Sequence, residues 1–86
     1  MNNMIEYLDN IKSKQFTLEI YNGEYLYFRM DEILEEYKIN LFEEEFQLVI
    51  NDKYYVFYED YKVDEELDLL LSRNNNQCTN IYCLEE

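Results

Sequence analysis

The stretch Gln15-Phe16-Thr17-Leu18-Glu19-Ile20-Tyr21-Asn22-Gly23-Glu24-Tyr25-Leu26-Tyr27-Phe28-Arg29-Met30 decides the fold class. Phe16, Leu18 and Ile20 alternate with Thr17, Glu19 and Tyr21, the period-two pattern of a strand with one buried face. Asn22-Gly23 is a residue pair that tolerates the two positive φ values of a type I′ turn, and Glu24 to Met30 returns in β-forming residues. The expected register sets Ile20 opposite Tyr25, Leu18 opposite Tyr27 and Thr17 opposite Phe28.

Working outward, Met4, Tyr7, Leu8 and Ile11 are spaced i, i+3, i+4, i+7, which predicts a first helix capped by Asn2 or Asn3 and closing near Lys12-Ser13-Lys14. On the other side, Asp31 reads as a cap for a second short helix with Ile33, Leu34, Tyr37 and Leu41 on its apolar edge. It ends between Lys38 and Glu43. Phe46, Leu48 and Ile50 then alternate, Asn51-Asp52 forms a turn, and Lys53 to Glu59 makes a second hairpin. Val63, Leu67, Leu70 and Leu71 fall on one stripe of a third helix ending near Ser72, with Asp64, Glu65 and Glu66 in its first turn. After the polar break Asn74-Asn75-Asn76, residues 74–86 read as a loose tail or an edge strand. Gln15 to Ile20 and Glu45 to Ile50 share their aromatic, Leu and Ile positions, an echo that two hairpins obeying one patterning rule would give. The expected architecture is therefore α+β: an antiparallel sheet of two hairpins with two or three short helices packed on one face, in a single domain spanning 1–86.

Eighty-six residues accommodate one small domain, and 48% hydrophobic with 17% aromatic residues is enough to collapse around a core. There is no His, no Pro, no Trp and one Gly, which removes most catalytic and metal-binding constellations; no cofactor and no enzymatic activity are expected. Twenty acids against seven bases give a formal charge of −13, which opposes direct binding to nucleic acid. The opening residues carry no signal-peptide pattern and no apolar run is long enough to span a membrane, so the expected location is cytoplasmic, in a bacterial host cell. Cys78 and Cys83, with four residues between them, read as two thiols in a reducing compartment.

The charge is regional. Residues 31 to 68 hold fourteen acids against three bases, an excess of eleven out of the thirteen in the whole chain. Acids in a helix first turn or a solvated loop are ordinary, but the combined asymmetry exceeds the net charge of magnitude ~2 to 8 that solubility asks of a small domain. It points to a negative binding face that offsets its own self-repulsion by use. Most of the ten tyrosines serve as sheet formers, whereas Tyr58 and Tyr61 flank Glu59-Asp60 and read as aromatic interface anchors.

Certain segments resemble small acidic anti-CRISPR proteins, phage-encoded inhibitors of RNA-guided DNA nucleases. Met1-Asn2, Ile11-Lys12-Ser13-Lys14 and Phe16-Thr17-Leu18 are similar to the start of such a protein. Ile50-Asn51-Asp52 before a Tyr-Val strand, and Tyr58-Glu59-Asp60 leading to Asp64-Glu65-Glu66, are similar to that family's second turn and acidic helix entry. Tyr21 to about Glu43 has no counterpart. The resemblance implies a non-enzymatic DNA mimic, a monomer or small homo-oligomer, that blocks the basic groove of a CRISPR-associated nuclease. It carries over Glu59, Asp60, Asp64, Glu65 and Glu66. Glu43, Glu44 and Glu45 join them on charge, and Tyr58 and Tyr61 as anchors. The competing expectation is an immunity or antitoxin protein that neutralises a basic nuclease toxin.

Overall fold

A computed structural model describes residues 1–64, 68–73 and 76–83. The chain runs α1 (Asn2–Asn10), β1 (Gln15–Asn22), β2 (Tyr25–Ile33), β3 (Tyr37–Leu41), β4 (Phe46–Ile50), β5 (Tyr54–Tyr58), β6 (Asp60–Val63), β7 (Leu69–Arg73) and β8 (Gln77–Cys83). The strands form a five-stranded sheet in the order β2-β1-β8-β7-β6 and a three-stranded sheet in the order β3-β4-β5. Every described strand pair is antiparallel. The α+β class holds in the sense of an antiparallel fold with one short helix among the described residues; where the sequence suggested a second and a third helix, the described residues are strands and the connection 34–36, and Glu65, Glu66 and Leu67 of the third lie outside the described residues.

The helix α1 forms where the 3.6-residue periodicity placed it and buries Met4, Tyr7 and Leu8, with Ile11 buried just beyond its end. Its cap is Met1, with no side-chain capping bond, in place of the Asn cap the sequence suggested. The helix ends at Asn10, and Ser13 takes φ 74 to turn the chain. Ser13 N–H donates to Leu34 O at 2.7 Å and Leu34 N–H to Lys14 O at 3.0 Å, so the helix-to-sheet joint is stitched to the end of β2.

Two substitutions of strand for helix have one cause. Ile33, Leu34, Tyr37 and Leu41 have helical spacing, but the chain breaks at Leu34 to Glu36 between β2 and β3, so the spacing spans two strands and a kink. Likewise Val63 and Leu69 are cross-strand partners, and Asp64 N–H donates to Asp68 O at 2.8 Å just beyond them. In β7, Leu69 and Leu71 are buried and Leu70 is only partly so, a period-two pattern masked because all three are leucine.

The tail is also reassigned. β8 lies between β1 and β7 in the middle of the larger sheet, with Thr79 and Ile81 fully buried. A strand paired on both edges satisfies its backbone polar groups while its inward side chains fill the core. One apolar core joins α1, the inner face of the larger sheet through Phe16, Leu18, Ile20, Met30, Leu69, Leu71 and Ile81, and the small sheet through Phe46, Leu48, Ile50 and Tyr58.

The first hairpin closes one step later than expected. Asn22 pairs with Tyr25, leaving Gly23 and Glu24 as the turn, and only Gly23 has positive φ (67°). A register shift follows. Tyr21 opposes Leu26 but Ile20 opposes Phe28, so Tyr27 bulges out of β2 without a partner on β1. The expected pairings of Ile20 with Tyr25, Leu18 with Tyr27 and Thr17 with Phe28 are thereby displaced: Leu18 faces Met30 and Thr17 faces Asp31. It is the second hairpin whose turn carries two positive φ values, at Asn51 (55°) and Asp52 (53°). Lys53 N–H returns to Ile50 O at 3.0 Å.

Candidate functional site

The three consecutive glutamates fall in the β3–β4 connection, because three adjacent carboxylates on a strand would put one or two of them into the core. The loop is closed by Phe42 N–H donating to Glu45 O at 2.9 Å, between the paired ends Leu41 and Phe46. Its aromatic residue makes a tilted ring contact: Phe42 lies 5.7 Å from Phe57 with the ring planes at 43°, and the Arg73 guanidinium sits 5.9 Å over the Phe57 ring. Phe42 nevertheless remains half exposed, beside an exposed Leu41.

Glu59 arrives from a different part of the chain. It is the single residue between β5 and β6, at the bend that carries the backbone from the small sheet to the larger one, and its N–H donates to Ser72 O at 2.9 Å. Because Phe46 pairs with Tyr58, Glu59 is delivered to the same end of the small sheet as the β3–β4 loop. Phe42, Glu43, Glu44, Glu45 and Glu59 line one open concavity there. Asp60 is exposed and adjoins it at the start of β6, opposite Ser72.

The other expected site residues lie elsewhere. Tyr58 is in the core, 1% exposed, with its hydroxyl 3.1 Å from Thr79 Oγ1, and burial raises its pKa to about 12. Its side chain therefore anchors the floor beneath the acidic end and does not reach a partner. Tyr61 is half-buried, edge-on to Phe46 at 6.3 Å between ring centres. Asp64 stands just beyond the far end of β6, roughly 14 Å from Asp60 at ~3.4 Å per residue. Glu65 and Glu66 lie outside the described residues.

The acids do not all share one face. Glu32, Glu35, Glu36 and Asp52 gather at the opposite end of the small sheet, where Glu32 is tied into the second hairpin turn. Its Oε1 accepts from Asn51 Nδ2 at 3.1 Å, its Oε2 accepts from the Tyr54 hydroxyl at 3.0 Å, and Lys53 Nζ lies 3.8 Å away. The Asn51 and Tyr54 hydrogen bonds hold the Glu32 carboxyl below its ordinary value. Asn51 Oδ1 also accepts from the N–H groups of Glu35 and Glu36, at 2.8 and 3.2 Å. Nothing in the pattern Asp31-Glu32 marked this carboxylate as structural; an unusually polar turn residue, Asn51, was the available signal.

Among the described residues no three His, Cys, Asp or Glu side chains are grouped to hold a metal ion, and no helix is long and apolar enough to cross a membrane. Cys78 and Cys83 are not joined in a disulfide and stand near opposite ends of β8. Five extended residues separate them by roughly 17 Å, beyond the reach of a disulfide. No family model, curated protein or solved structure matches the chain.

Proposed function

We propose that this protein is a non-enzymatic inhibitor whose acidic end stands in for nucleic-acid phosphates and blocks the basic DNA-binding groove of a CRISPR-associated nuclease. The observation that carries the reading is the convergence of Glu43, Glu44, Glu45 and Glu59, from two separate connections, around one concavity beside half-exposed Phe42. Four carboxylates on loops pinned by a packed floor are pre-organised, so docking orders little that is not already ordered. A net charge of −13 steers the chain toward a cationic groove, and Phe42 with Leu41 supplies the apolar contact that slows its departure. Asp60 extends the acidic edge, and Asp64 with Glu65 and Glu66 contributes at longer range.

The test is capture of tagged protein from a bacterial lysate containing CRISPR nucleases, at low and raised salt. A nuclease is expected at low salt and lost at high salt. The combined change Glu43→Lys, Glu44→Lys and Glu59→Lys is expected to abolish capture while the circular dichroism spectrum is unchanged. Capture that is indifferent to both salt and reversal removes the mimicry. Recovery of a basic toxin nuclease instead reassigns the same electrostatics to an immunity protein.

A further inference from the structure

The end of the first hairpin carries a second, chemically different surface. Tyr25 and Tyr27 are 82% and 71% exposed, the two most exposed large hydrophobic residues among those described, and Leu26 between them is half exposed. The bulge in β2 falls on Tyr27 itself, and bulges recur beside functional sites because they re-aim a side chain. Tyr27 here lines an open groove with Asn22, Asn76 and Gln77. The backbone holds the three amide residues together: Asn22 pairs with Gln77 across β1 and β8, and Gly23 N–H donates to Asn76 O at 2.7 Å, joining the hairpin turn to the residue that precedes β8.

The side chains of the groove are uncommitted. Seven of the ten tyrosine hydroxyls are hydrogen-bonded, whereas among the described residues those of Tyr25, Tyr27 and Tyr61 have no partner. Of the other amides, Asn40 bonds Gln47 at 3.0 Å and Asn51 bonds Glu32 and Ile33, while among the described residues those of Asn2, Asn3, Asn10, Gln15 and Asn80 make no side-chain hydrogen bond. Those of Asn22, Asn76 and Gln77 make no side-chain hydrogen bond among the described residues.

From this groove we infer a binding site for a neutral, hydroxyl-rich ligand, a carbohydrate whose ring stacks on Tyr27 while its hydroxyls bond Asn22, Asn76 and Gln77. None of the four lining side chains is charged, so neither an anion nor a cation finds its counterpart there. The −13 charge of the chain further disfavours anions. A side-chain amide offers both donors and an acceptor, matching a hydroxyl, which is also both. The C–H face of a pyranose carries slight positive charge and meets the negative face of an aromatic ring. The site lies apart from the acidic end and does not depend on the function proposed above.

The test is a heteronuclear NMR titration of the nitrogen-labelled protein with methyl glucoside, methyl galactoside and the N-acetylglucosamine trisaccharide, each to tens of millimolar. Saturable shifts confined to the neighbourhood of Asn22, Tyr27, Asn76 and Gln77 are expected with at least one probe. Tyr27→Ala, at an exposed position that leaves the core intact, is expected to weaken that binding roughly tenfold or more. Tyr27→Phe should retain most of it. Absence of saturable shifts with all three probes overturns the inference, as does binding undiminished in Tyr27→Ala. Shifts of the same residues on raising protein concentration alone, without sugar, also overturn it and assign the face to a second copy of the chain.

Discussion

The two ends of the small sheet use the same residue type in opposite ways. At the Asn51 end, the Glu32 carboxylate accepts hydrogen bonds from Asn51 and Tyr54 with Lys53 alongside, and holds the hairpin turn to the end of β2. At the Glu43 end, carboxylates from two connections, Glu43 to Glu45 and Glu59, meet around one open concavity. A count of acids treats both alike. What separates them is placement, Glu32 inside a hydrogen-bonded turn and Glu43 and Glu44 exposed on a loop, and therefore where a mutation is felt: in stability at one end and in association at the other.

The comparison breaks first at Asn51. Asn51→Ala forfeits the left-handed φ that Asn tolerates and the side-chain bonds to Glu32, Ile33, Glu35 and Glu36, and is expected to cost about 3 kcal/mol by urea denaturation. Asn51→Gly relieves the backbone and should recover part of that loss. Glu32→Ala follows, at about 1 to 2 kcal/mol after allowing for solvent screening. Under the acidic end, Tyr58→Phe leaves the fully buried Thr79 hydroxyl without its partner, a loss of about 1 kcal/mol read from the same transition. Glu43→Gln with Glu44→Gln is expected to leave the unfolding midpoint unchanged or raise it, since removing like charges relieves repulsion. If that pair proves as damaging as Glu32→Ala, the distinction between the ends collapses.

Titration sharpens the same contrast. Glu32 has a pKa held below its ordinary 4.5, so its contribution to stability is complete above that value and disappears as pH falls through the lower folded value. Tyr58, raised to about 12 by burial, and Tyr37, raised to about 12 by burial and its bond to Asp9, act on the alkaline side. Their contribution is complete below the ordinary value of 10.0 and is lost as pH rises through about 12. Denaturant midpoints measured across pH should fall at both extremes, and Glu32→Ala should flatten the acidic limb selectively.

How far the sequence disclosed this arrangement depends on what each segment asks of its pattern. α1 and the existence of both hairpins were legible from periodicity and turn residues, but the register of the first was not, because the bulge at Tyr27 interrupts the period of β2. The segments around Ile33 to Leu41 and Val63 to Leu71 were not legible, because one strand ends and another begins within each, and two short strands together imitate helical spacing. The acidic turn residues beside them imitate a helix start. The acidic end was half legible: Glu43 to Glu45 and Glu59 were nominated on charge, but only the Phe46–Tyr58 pairing brings them together. Tyr58 was misplaced because a buried tyrosine with a hydroxyl partner and an exposed anchor look identical in sequence.

The account rests on the acidic end competing for a site that nucleic acid would otherwise occupy. The direct measurement is displacement of labelled duplex DNA from a purified CRISPR nuclease by this protein, alongside the Glu43→Lys, Glu44→Lys, Glu59→Lys variant and the Glu32→Lys variant at equal folded concentration. Displacement is expected from the wild type, retained by folded Glu32→Lys and lost in the triple variant. Displacement retained by the triple variant, or absent in the wild type, contradicts the account.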